Sequence, residues 1–214
     1  MATTESTSQT RSSGFLSGVV RFVLVVLFTG VETVALVAWL ALVLDAAPVS
    51  QTAAVGLGAL FVGLVVEHFL TDQAVNGVDF SFPLGAALVF SATETALWAL
   101  WLVVAERVGG LEGLLVAGVV LTVLLVPQHT IEDNALRGKG LISKLVDLRT
   151  LGFSIVEGVG ATVWLLFVTQ TAVVEPLLTD LGVSAVGPET VGVAILALAL
   201  LVEHVIGVGF SRRS

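Results

Sequence analysis

Six apolar stretches, each long enough to cross a bilayer, constrain this chain more than any other feature. A hydrocarbon core takes roughly 20 helical residues to span. Residues 15–44, 52–75, 82–105, 112–136, 144–170 and 189–210 each meet that length. The second and fourth are interrupted by polar residues, yet their apolar parts alone nearly span. In lipid every backbone N–H and C=O must be bonded within the protein, so such stretches fold as helices. Composition removes the soluble alternative: the chain is 56% hydrophobic and only 12% charged, where a soluble domain is about 25% charged. The expected fold is an all-α membrane protein with six transmembrane helices.

Basic residues set the expected orientation. Arg11, Arg21, Arg137, Lys139, Lys144, Arg149, Arg212 and Arg213 fall on one side of a six-span arrangement, and Arg107 alone on the other. Both termini are therefore expected in the cytoplasm, with the protein in the cell (plasma) membrane. Residues 1–14, rich in Ser and Thr, read as a disordered polar tail, and 211–214 as a short basic end. Residues 138–149 carry Leu141, Ile142, Leu145 and Val146 among charges, and are expected to lie along the inner interface before the fifth span. The net charge of −8 and the scarcity of lysine suit a high-salt cytoplasm and argue against a nucleic-acid partner. With no cysteine, thiolate zinc sites and iron–sulfur clusters are excluded.

Internal repetition organises the spans further. The first contains Phe28-Thr29-Gly30-Val31-Glu32 followed by Trp39-Leu40. The third contains Phe90-Ser91-Ala92-Thr93-Glu94 followed by Trp101-Leu102. The fifth contains Phe153-Ser154-Ile155-Val156-Glu157 followed by Trp164-Leu165. The shared pattern is F-[ST]-x-x-E-x6-W-L on every odd span. The even spans repeat Glu67-His68, Gln128-His129 and Glu203-His204, which accounts for all 3 histidines. In two copies an Asp follows four residues later, Asp72 and Asp133, ahead of Gly77 and Gly138, which stand where a helix-ending glycine belongs. The organisation is three tandem helical hairpins, 15–77, 78–138 and 150–210, joined in one place by a linker, 139–149. Hairpins of even span number share one orientation, so a pseudo-threefold bundle about the membrane normal is expected. This plan resembles that of the mitochondrial carriers in architecture alone. Those carry a proline-containing acidic/basic signature on their odd helices and longer repeats, so no substrate or residue is carried over.

Helical rise turns spacing into depth. Glu32 lies about 16 Å inward of Arg21, and His68 and His129 about 13 Å from the glycines that end their helices. Glu32, Glu94, Glu157, His68, His129 and His204 are thus expected to form one cluster in the inner half of the membrane. Thr29, Ser91, Ser154, Glu67, Glu203, Gln128, Asp72 and Asp133 are expected to surround and orient it. Trp39, Trp101 and Trp164 lie seven residues beyond the glutamates, about 10 Å further out. They read as an interfacial belt or as an aromatic wall for a ligand, and Trp98 as a belt or lipid-facing residue. The third copy has a longer outer loop, 171–188.

Ionisable groups at this depth cost at least ~2.5–3.5 kcal/mol each and need partners or water. Carboxylate and imidazole together suit a divalent transition metal, and they are equally the parts of proton relays. The leading expectation is therefore cation handling: divalent metal transport or sensing, or proton coupling. Interhelical glue in a structural or assembly subunit of a membrane complex is the second, and a haem b or other redox anchor the third. The expected surroundings are the lipid bilayer, with membrane-complex subunits or further copies of the chain as partners. No hydrolytic motif or dinucleotide fingerprint is present, so the reading leans away from an enzyme.

Overall fold

The computed structural model describes residues 6–77, 83–183 and 185–211, with side chains from Gly18 onward. It is all-helical. The described residues form seven helices: α1 (Ser6–Val43), α2 (Gln51–Asn76), α3 (Leu84–Val108), α4 (Gly110–Leu136), α5 (Leu148–Thr169), α6 (Thr171–Asp180) and α7 (Pro188–Ser211). All but α6 are long and apolar enough to cross a membrane. Val34, Leu115 and Val119 are 68%, 66% and 65% exposed on the outside of the bundle. Such surface costs free energy in water and none in lipid.

The helix ends follow local chemistry. Ser50 caps α2 by accepting a hydrogen bond from the Ala53 N–H at 3.1 Å. Between α3 and α4 the chain reverses on Gly109 and Gly110, at φ 77° and 59°, a conformation that costs other residues dearly. α1 pairs chiefly with α2, α3 with α4 and α5 with α7, while α2 meets α3, α4 meets α5 and α7 returns to α1. Small residues bring the partners close. A Cβ on Gly63 would collide with Ala35 across α1 and α2, and one on Gly160 with Ala199 across α5 and α7.

Three stretches gain local detail here. Residues 6–14 are helical and continue into the long span of α1. A helix already nucleated by an apolar span extends at one hydrogen bond per added residue. Residues 1–5 and 212–214 lie outside the described residues. The stretch before α5 consists of turns, and Asp147, not Lys144, marks where α5 begins. The 171–188 loop contains α6, whose Val174 and Leu178, four residues apart, are buried. That spacing places both side chains on one helix face, with Pro176 inside the helix.

The bundle has two unlike ends. At the basic end, Arg21 Nε donates to the Ala74 carbonyl at 2.9 Å and Arg137 to the Phe210 carbonyl at 3.3 Å. The opposite half holds the largest apolar core, with Leu36, Leu60, Leu121, Leu196 and all four tryptophans. Trp39, Trp98, Trp101 and Trp164 are 1%, 0%, 0% and 2% exposed. That burial overturns the belt reading and the lipid-facing position expected of Trp98. Helix depth alone does not say which way a side chain turns, and these rings turn inward.

Candidate functional site: a buried glutamate and histidine cluster

Each histidine crosses from one hairpin to the next. His68 of α2 faces the Ser91 and Glu94 turn of α3, His129 of α4 faces Ser154 and Glu157 of α5, and His204 of α7 faces Thr29 and Glu32 of α1. The F-[ST]-x-x-E pattern is the receiving surface. Phe28, Phe90 and Phe153 pack against the rings of His204, His68 and His129, at centroid distances of 4.6, 6.1 and 5.1 Å. One helical turn further along, the glutamates meet Nε2.

Hydrogen bonding identifies which ring nitrogen faces the carboxylate. Thr29 donates its single hydroxyl proton to the Val25 carbonyl at 2.8 Å, so its oxygen accepts from His204 Nδ1–H, also at 2.8 Å. Ser154 likewise donates to the Thr150 carbonyl at 2.8 Å and accepts from His129 Nδ1–H at 2.9 Å. His68 Nδ1 donates to the Leu64 carbonyl at 2.7 Å and lies 3.0 Å from Glu67. All three Nε2 atoms therefore face carboxylates: His204 to Glu32 at 3.1 Å, His129 to Glu157 at 3.2 Å, and His68 to Glu94 at 3.9 Å. The Glu32 contact is one of proximity rather than alignment, since Oε2 accepts no hydrogen bond from the described residues.

The glutamates converge. Glu32, Glu94 and Glu157 are 3%, 7% and 2% exposed, and each offers an oxygen within 4.8 Å of the others. These three residues are the group that can hold a metal ion among the described residues. A cavity of about 750 Å³, counted to its open mouth, leads to them from the basic end. Its walls include Glu67, Glu203 and Asp133, and Arg137 and Arg149 stand near the mouth.

The supporting residues divide. Glu203 lies 3.0 Å from His204 Nε2, and Thr71 donates to Glu67 at 2.5 Å. Gln128 turns aside and donates to the Phe90 carbonyl at 3.3 Å. Asp133 accepts from Arg137 at 2.8 Å and from Ser211 at 2.8 Å, which ties α4 to the end of α7. Asp72 accepts from Asn76 at 2.7 Å. Both aspartates serve helix ends. Outside the spans, Asp147 accepts from the Arg149 N–H at 3.0 Å and pairs with Lys144 at 2.9 Å. These two interactions hold its carboxyl below the usual carboxylate range.

Sequence reading missed Glu132, which lies 3.7 Å from His68 Nε2 and lines the cavity. It has no counterpart in the other hairpins, where Thr71 and Gly207 occupy the place, so a search for repeats passes over it. Its signal was a carboxylate about one turn beyond His129, next to Asp133, near the end of an apolar span. A haem does not fit this donor set, because the histidine nitrogens that would ligate iron face carboxylates. Compared with known protein families, curated proteins and solved structures, the chain matches none.

Proposed function

We propose that the protein handles a cation, a divalent metal ion or protons, at Glu32, Glu94 and Glu157. In this reading it is a multi-pass protein of the cell membrane with both termini in the cytoplasm, and three hairpins in pseudo-threefold arrangement each contribute one glutamate and one histidine. The observation that carries the proposal is the convergence of three buried carboxylates within 4.8 Å. Like charges this close in a low-dielectric interior cannot all stay ionised without a cation among them. The open cavity supports access from the basic end, and the tryptophan-filled half supports a closed opposite end.

Two measurements test this. Protein purified without chelator is assayed for metal by mass spectrometry, and proteoliposomes are assayed for proton and divalent-metal flux. Stoichiometric metal, or a flux lost in Glu94→Gln, is the expected result. Metal-free protein that conducts neither ion defeats the proposal.

One observation favours a second reading. Each histidine makes a contact that joins one hairpin to the next, which suits glue in a structural or assembly subunit. Under that reading a paired Glu32→Gln and His204→Asn change leaves any partner complex active, whereas cation handling requires that it be impaired.

A further inference from the structure

Glu32, Glu94 and Glu157 supply oxygens within 4.8 Å of one another, and among the described residues no imidazole nitrogen joins that group. The histidines stand behind the carboxylates instead. His204 and His129 bring Nε2 to 3.1 and 3.2 Å from Glu32 and Glu157, while Nδ1 is engaged by Thr29 and Ser154. A ring locked on one side and set against a carboxylate on the other fixes where that carboxylate sits, a supporting role of the kind found around metal sites. Glu32 Oε2 and Glu157 Oε1 are buried and accept no hydrogen bond from the described residues. Each leaves a lone pair with no donor inside the cluster.

We infer that the site takes a hard divalent cation, of the Mn²⁺ or Ca²⁺ kind, in a shell of glutamate oxygens, with the histidines as positioning residues and not as ligands. The inference rests on the cation reading above and narrows it to a class of ion. Carboxylate and water oxygens suit Mg²⁺, Ca²⁺ and Mn²⁺, whereas direct imidazole ligation suits Zn²⁺, Cu²⁺ and Ni²⁺. Size is compatible with this. Oxygens no more than 4.8 Å apart leave room at their centre for metal–oxygen lengths up to about 2.8 Å, which admits the roughly 2.3–2.6 Å of Ca²⁺–O bonds. Water entering from the basic-end cavity can complete the coordination.

The test is titration of the full chain in detergent with Mn²⁺, with Ca²⁺ and Zn²⁺ as competitors, read by calorimetry and by pulsed electron paramagnetic resonance of the bound Mn²⁺. One Mn²⁺ per chain is expected, displaced by Ca²⁺ at least tenfold more effectively than by Zn²⁺, with no coupling from a directly bonded nitrogen. Glu94→Gln abolishes binding. His204→Gln weakens it about 10–100-fold but leaves one site with an unchanged spectrum, a result that also shows the variant has folded. A directly bonded nitrogen signal, or Zn²⁺ preferred over Mn²⁺, overturns the oxygen shell while leaving the cation reading standing. Absence of divalent binding in a protein that conducts protons in liposomes also overturns this inference alone. Absence of both removes the inference and the reading beneath it.

Discussion

His129 and His204 are held tightly between hairpins, and His68 is held loosely. The first two have a hydroxyl oxygen at 2.9 and 2.8 Å on Nδ1 and a glutamate at 3.2 and 3.1 Å on Nε2. His68 has Ser91 at 3.4 Å and Glu94 at 3.9 Å. The flanking phenylalanine follows the same order, 5.1 and 4.6 Å against 6.1 Å. The receiving pattern F-[ST]-x-x-E recurs in all three places, and the contrast on the donor side is plain. His68 spends Nδ1 on the carbonyl of Leu64 in its own helix and lies beside Glu67, and these local partners draw the ring back from α3. A repeated pattern thus decides which residues meet, and local competition decides how closely.

The largest test of this difference is deletion of the ring. His204→Ala leaves Glu32 buried without its counter-group and is expected to cost about 3 kcal/mol or more. The part of the His68→Ala loss that vanishes in a Glu94→Gln background is expected to be under about 1 kcal/mol, because the contact with Glu94 is longer than a hydrogen bond, whereas the ring's partners Leu64 and Glu67 belong to its own helix. Denaturant unfolding in detergent reads both, and equal values would erase the distinction between tight and loose stations.

A smaller effect isolates the hydroxyl side. Thr29→Val removes the acceptor for His204 Nδ1–H and is expected to cost about 1 kcal/mol, while Ser91→Ala costs a few tenths at most. The reverse order, measured in the same way, would mean that His68 is the better-anchored ring.

The smallest effect lies outside the membrane, where a carboxylate in water contrasts with those in the cluster. Asp147 has a lowered folded-state pKa, so its contribution to stability is present above its unfolded value and fades as the pH falls through the lower folded value. Asp147→Asn is therefore expected to destabilise slightly near neutral pH and to match the parent in acid. A pH series of melting temperatures checks this, and a difference that grows in acid would contradict it.

Much of the fold was legible because lipid imposes simple rules. Length and apolarity located the six long helices to within four residues at every end but the start of α1, and the spacing of Glu32, Glu94 and Glu157 placed them at one level. Features that depend on which way a side chain turns were not legible. Trp98 and its neighbours could face lipid or protein at the same depth, and only packing among residues of six helices turned them in. Glu132 escaped because repetition was the signal and it is not repeated. α6 escaped because its ten residues are too short to register as a span.

The sequence by itself determined six apolar helices, a basic end, and a glutamate and a histidine on every hairpin, because bilayer thickness, helical rise and the cost of charge in lipid act locally along a chain. Only the tertiary structure decided that each histidine serves the next hairpin's glutamate rather than its own. It alone brought three carboxylates within 4.8 Å of one another and left the way to them open at the basic end. Those outcomes depend on how close the helices come and in what order they pack, which is fixed by small residues such as Gly63 and Gly160 meeting side chains from distant parts of the chain.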